Sequence, residues 1–289
     1  MACEYSGARV SAVLHIHPAR RMRNRGRGAL LSLVTTAVAL AMAAGCATGP
    51  RRPPTGTPEP DKFLFDRGTE ALNERKWLTA REYFRQLVDS YPQSTYRADA
   101  KLGVGDTYLG ERSAEAYVLA ENEFREFLSF YPTHLRAHYA QFKLAMTHYY
   151  QMHGPMRDQS KTQEAIKELT VYLERYPNEE LAAEAKLRLR EARDRLSDHS
   201  YRVGLHYFRS RWYPGAIDRF REVLDRDPQF TNRDAVYFYM GESLLKIQRP
   251  AEALPYFDRL IQEFEVSEFL EEAQKRMEEI KALQAAAIK

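Results

Sequence analysis

The sequence predicts an all-α chain, an α-solenoid of about five helix pairs joined through one long central helix. Two observations predict it. A small residue, an alanine, a large apolar residue and a proline recur at intervals of 12, 4 and 8, as Gly68, Ala80, Phe84 and Pro92 and again as Gly204, Ala216, Phe220 and Pro228. Between those copies the stretch NEELAAEAKLRLREARDRLSDHSYRVGLHYF holds no helix breaker before Gly204, and it reads as one helix from about Glu179 to Arg209.

A segment of another kind stands ahead of the solenoid. RMRNRGRGALLSLVTTAVALAMAAGC has a basic start at Arg23, Arg25 and Arg27, an apolar run over 29–44 and small residues before Cys46. A basic n-region, a short apolar h-region and small residues at a cut describe a bacterial export signal. The run is shorter than the roughly 18 to 20 apolar residues of a permanent span. With a cysteine at the cut it resembles a lipoprotein lipobox, although Ala43 stands where such boxes usually carry leucine. Residues 1–45 are therefore expected to be an export signal, translated from Met22 and cleaved before Cys46. Acyl chains on Cys46 would hold the chain on a membrane, each buried methylene contributing about 0.8 kcal/mol.

Processing changes the charge. The chain carries 43 Lys+Arg and 40 Asp+Glu, a formal +3. Residues 1–45 contain six arginines and one glutamate, so the remainder has 37 basic and 39 acidic residues, a balance of −2. A nucleic-acid partner thereby loses its main support. Cys3 leaves with the signal, so Cys46 has no intrachain partner and the body must rely on its core. Residues 46–61, with ATGPRRPPTGTPEPD after the cysteine, are too rich in proline and glycine to pack and read as a lipid-anchored flexible tether.

The helix pairs follow in order. Pair one holds Gly68, Ala80, Phe84 and Pro92; pair two holds Gly105, Tyr108, Ala120, Phe124 and Pro132, with about three extra residues between its helices. Pair three has Ala145, Ala165, Leu169 and Pro177 and about eight extra residues. Its insertion, QMHGPMRDQSKT, is a polar loop broken at Gly154 and Pro155, in which Asp158 or Ser160 is expected to cap the next helix. Pair four repeats the first spacing, and pair five keeps Gly241, Ala253 and Phe257 with Glu265 in place of the proline. This pattern resembles the tetratricopeptide repeat, in which the small residue admits the second helix and the aromatic lies one turn beyond the alanine. Pro255, inside the last second helix, should kink or shorten it. From Ser267 on, a final helix is expected to cover the open face of pair five. The expected organisation is 62–178 for pairs one to three and 179–289 for the central helix, pairs four and five and the cap.

Catalytic machinery is not in the sequence. It has no glycine-rich phosphate loop, no Gly-x-Ser-x-Gly and no His-Glu-x-x-His. His134 and His138 stand four apart, near His148 and His153, without carboxylates or cysteines at ligand spacing, so neither a metal nor another cofactor is expected. What remains is binding. A stack of helix pairs takes up extended peptides along the face lined by its first helices. The repeat spacing places Phe65, Thr69, Leu72, Leu102, Asp106, Leu109, Tyr139, Phe142, Met146, Tyr149 and Tyr150 on that face, with Lys143 close by. About half of these are expected to pack between helices instead.

Lipobox, tether, five repeats and central helix together resemble the BamD family, the repeat lipoproteins of the outer-membrane β-barrel assembly machine. The resemblance covers roughly Phe63 to Ile280 and is most specific from RDQSKTQEAIKELTVYLERYPNEE through RLSDHSYRVGLHYFRSRWYPGAIDRF. It implies a lipid-anchored protein on the periplasmic face of the outer membrane, without enzymatic activity. Its N-terminal half would receive the C-terminal targeting strand of unfolded barrel proteins, and its C-terminal half would dock on periplasmic domains of the barrel-forming subunit. Accessory lipoproteins would be further partners. Arg219, in AIDRF, matches the family's docking arginine. The competing reading is a repeat adaptor of a trans-envelope energy complex or of pilus assembly, but the coiled-coil segment usual in the first is not found here.

Overall fold

A computed structural model describes residues 53–287. The expected export signal, Cys46 and the start of the tether lie outside the described residues. Eleven α-helices and no strand occur among them: α1 (Pro60–Asn73), α2 (Trp77–Ser90), α3 (Arg97–Glu111), α4 (Ala114–Phe130), α5 (Ala137–Tyr149), α6 (Ser160–Arg175), α7 (Ala182–Arg209), α8 (Tyr213–Arg226), α9 (Arg233–Lys246), α10 (Pro250–Glu263) and α11 (Leu270–Ala287). Each packs on its sequence neighbours, so the chain is an α-solenoid of five pairs followed by a capping helix. None of these helices is long and apolar enough to cross a membrane.

The repeated glycines work by close approach. A methyl group added at Gly68, Gly105, Gly204 or Gly241 would lie 2.6, 2.7, 2.6 or 2.5 Å from the ring of Phe84, Phe124, Phe220 or Phe257 respectively. Each aromatic of the second helix thus lies directly against a bare stretch of the first helix's backbone. Pair three solves the same contact differently: Ala145 replaces the glycine and the smaller Leu169 replaces the aromatic, and both are fully buried.

The turns inside pairs one, four and five share one geometry. Arg75, Arg211 and Gln248 adopt left-handed backbone, at φ of 59°, 62° and 59°. The N–H of each following residue reaches back to Ala71, Tyr207 or Leu244 at 2.9 Å, which closes a Schellman cap without glycine. Pair two also turns through a left-handed residue, Arg112, at φ 57°. Pair three carries the insertion instead. There the Asp158 carboxylate accepts from the Ser160 N–H at 3.2 Å and from its hydroxyl at 2.9 Å, so aspartate, one residue ahead of the cap position, steadies the start of α6.

Three expectations need correction. The tether does not extend to 61: Pro60 and Asp61 open α1, and the Asp61 carboxylate accepts from the Ser94 hydroxyl at 2.7 Å. The central helix begins at Ala182 rather than Glu179, because Glu179 is taken up in a turn whose carbonyl accepts from the Ala182 N–H at 2.9 Å. Pro255 does not shorten its helix: α10 runs through it for 14 residues, the same length as α8. Ala253, Phe257 and Leu260, all fully buried, hold it against its neighbours, and tertiary packing of this kind overrides a local cost. The final helix packs on pair five, with Ala273 and Ile280 buried and Phe269, just ahead of it, stacked on Phe238 at 4.8 Å.

Candidate functional site

The first helices α1, α3 and α5 border a concavity of about 320 Å³ lined by Leu72, Trp77, Asp106, Leu109, Gly110, Arg112, Tyr139, Lys143 and Tyr150. Six of the residues assigned to the groove from sequence meet there: Leu72, Asp106, Leu109, Tyr139, Lys143 and Tyr150. The other six do not line it. Leu102, Phe142 and Met146 are buried in helix packing and offer no surface. Phe65 is half-buried and stacks on Tyr96 at 5.2 Å, and the Thr69 hydroxyl donates to the Phe65 carbonyl at 2.9 Å. Tyr149 donates instead to Glu191 on α7.

Trp77, Gly110 and Arg112 belong to this site and were missed, because they lie at the turns or helix ends and not on the face that the spacing marks. Trp77 opens α2, and its indole lies against the backbone at Gly110, where an added methyl would meet the ring at 2.9 Å. Arg112 stands in the left-handed turn before α4, exposed, with its guanidinium 5.9 Å from the Tyr150 ring and without an ion-pair partner among the described residues. A cation beside an aromatic in a tight turn was the signal available for it.

The floor is electrostatically organised. Tyr139 donates to Asp106 at 2.8 Å, and the Lys143 ammonium lies 3.6 Å from the other carboxylate oxygen. Burial pushes the Asp106 carboxyl above its ordinary value, against the pull of Lys143, Tyr139 and Arg136. The Tyr139 phenol is pushed up as well, by burial and by Asp106, so it stays a donor. Arg136 stacks over Tyr139 at 4.4 Å and pairs with Asp99 at 3.2 Å. Asp106 therefore positions Tyr139 and Lys143, while Arg112 stands at the rim without an ion-pair partner among the described residues. Between them lies an apolar slot formed by Leu72, Trp77, Leu109 and Tyr150. The arrangement suits an apolar or aromatic side chain next to a carboxylate.

Arg219 lies on α8, exposed, and pairs with Glu222 at 2.8 Å. Arg226 holds the same Glu222 at 2.6 Å, so two cations share one carboxylate. Glu222 and Arg226 border a hollow of about 300 Å³ with apolar walls at Ile166, Leu196 and Val223.

The four histidines go to separate places. His148 is buried with Nδ1 3.0 Å from Glu164, and burial holds its imidazole below the ordinary value despite Glu121. His138 faces Tyr176, His134 accepts from the Arg136 N–H at 3.2 Å, and the His153 carbonyl accepts from Arg195 at 3.1 Å. Among the described residues no group of three or more metal-ligating side chains is assembled.

Residues 58–252 match the YfiO family, described as outer membrane lipoprotein. Three curated relatives, each called outer membrane protein assembly factor BamD, are similar over most of this length. That of Caulobacter vibrioides is 31% identical over 76% of this chain and 72% of its own. That of Xylella fastidiosa (strain 9a5c) is 26% identical over 64% of this chain and 65% of its own, and that of Vibrio cholerae 26% identical over 66% and 81%.

Proposed function

The chain belongs to the YfiO family of outer membrane lipoproteins, and from that premise we propose that it is an outer-membrane protein assembly factor without enzymatic activity. In this reading Cys46 carries the acyl anchor and the residues between it and α1 tether the solenoid on the periplasmic face. Unfolded barrel proteins enter the groove between α1, α3 and α5. The barrel-forming subunit docks through its periplasmic domains at α8, and accessory lipoproteins complete the assembly.

One observation carries the client reading: an apolar slot with an unpaired arginine at its rim. The last residue of a barrel strand supplies both an apolar side chain and a free carboxylate. Its side chain would enter between Trp77, Leu109 and Tyr150, and its carboxylate would meet Arg112 and Lys143. The test is fluorescence anisotropy with a labelled peptide of a barrel protein's C-terminal strand ending in an aromatic residue. Arg112→Glu with Lys143→Glu is expected to weaken binding at least about tenfold, equivalent to about 1.4 kcal/mol. Amidating the peptide's C-terminus should weaken it similarly on the wild type. Binding indifferent to both changes would remove the groove from the mechanism.

For the docking face, Arg219→Glu reverses a charge that one shared carboxylate leaves incompletely neutralised. Affinity for the purified periplasmic domains of the barrel subunit is expected to fall about tenfold, chiefly through association rate and with altered salt dependence. Unchanged titration curves in moderate salt would count against docking at α8.

A further inference from the structure

The insertion in pair three builds a surface that neither proposed site uses. Residues 151–159 fold back onto α7 and are tied there. The Arg195 guanidinium donates to the carbonyls of Met152 at 3.4 Å and His153 at 3.1 Å, and the His199 ring lies 2.5 Å from the Pro155 carbonyl. Gln159, itself buried, donates to the carbonyls of Gly154 and Arg157 at 2.8 and 2.9 Å. Held this way, Met156 projects over the second half of α7 while remaining 63% exposed. The trough between them is about 360 Å³ and is lined by Met156, Tyr201, Arg202, Leu205, His206 and Arg209.

Among the described residues no carboxylate lines this trough. Arg202 is held by Asp198 on its own helix at 2.8 Å, whereas Arg209 and His206 make no ion pair among the described residues. The basic groups stand at i, i+4 and i+7, one face of the helix. They span about 10 Å at 1.5 Å per residue, close to the length of three residues of extended chain at roughly 3.3 Å each. Met156, Leu205 and Tyr201 supply apolar wall beside that row of two guanidiniums and an imidazole. Such a row of donors in a walled trough fits a single extended chain better than the flat surface of a bilayer.

We propose that this trough binds an acidic, extended segment of a partner protein, with carboxylates on the Arg202–His206–Arg209 row and an apolar side chain against Met156 and Leu205. The site is independent of the client groove and of Arg219, and it gives the insertion loop a function as its second wall.

The test is anisotropy of a fluorescein-labelled peptide of alternating glutamate and leucine, titrated with the full chain in mild detergent. Saturable binding that weakens with salt is expected, reduced at least about tenfold by Arg209→Glu and measurably by Met156→Ser. Arg259→Glu, the same charge change at an exposed position on α10, should leave it unaltered, as should Arg112→Glu with Lys143→Glu. Equal loss in Arg209→Glu and Arg259→Glu, or no saturable binding, would overturn the proposal. So would vesicles of anionic phospholipid that bind in an Arg209-dependent way where the peptide does not, which would assign the row to lipid.

Discussion

Replacing Gly204 by valine is expected to destabilise the solenoid by about 3 kcal/mol, the upper end of what overpacking costs, and even alanine should cost about 1 kcal/mol. The sign for alanine is the informative part. In an ordinary helix interior alanine is favoured over glycine by about 1 kcal/mol, and Gly204 lies well inside the 28-residue helix α7. Here the added carbon would sit 2.6 Å from Phe220 Cε1. Phe220 is fully buried and has Tyr201 and Tyr239 at 6.1 and 6.3 Å, so its ring has little room to yield. Pair three shows the compatible combination, Ala145 opposite Leu169. Gly204→Ala combined with Phe220→Leu should therefore be more stable than the sum of the single changes, by at least about 1 kcal/mol of coupling. Urea unfolding of the four proteins in the cycle measures it. Strict additivity would mean that the ring yields freely and that the close approach does not select the glycine.

That contact also explains what could be read from the sequence. The repeat is legible because its determinants are local in spacing. A glycine, an alanine one helix later and an aromatic one turn on need only helical geometry to meet, and prolines such as Pro92 and Pro228 stand just past the helix ends. The groove is legible only in part, because spacing identifies a helix face but not how far a neighbour covers it. Leu102 and Met146 lie on internal first helices packed on both sides, and the adjoining pairs bury them. Arg112 and Trp77 come from the turn and the following helix, so no periodicity within the first helix points to them. Pro255 leaves its helix at full length for a related reason. A local rule about proline says nothing of the core residues Phe257 and Leu260 that hold its helix in place.

The second large effect is expected at the junction between α7 and the turn after α8. Arg190→Leu should cost about 3 kcal/mol, in the range for removing one partner of a buried pair. Arg190 grips Asp227 with both terminal guanidinium nitrogens, one at 2.9 Å, and also holds Asp194 at 3.0 Å. Asp227, nearly buried at the end of α8, accepts from the Ser197 hydroxyl at 2.7 Å, and Asp194 accepts from the Thr231 N–H at 3.0 Å and its hydroxyl at 2.9 Å. The network thus ties the α8–α9 turn to the middle of the central helix. Burial pushes the Asp227 carboxyl up, but hydrogen bonds from Arg190 and Ser197 and the Arg190 charge outweigh it and hold it below the ordinary value. A group depressed in this way contributes stability above its unfolded value near 3.9 and loses it as pH falls below that. Without Arg190 the burial effect dominates and Asp227 should bind a proton more readily folded than unfolded. The variant's deficit should then shrink as pH falls from 6 toward 4, a range in which the wild type's stabilisation by Asp227 stays nearly constant. Arg190→Leu with Asp227→Leu should recover most of the loss at neutral pH, because no buried charge remains unpaired. Thermal melts across that range decide it: a deficit independent of pH, or a double variant as unstable as Arg190→Leu alone, would mean that the pair acts through packing of the guanidinium and not through its charge.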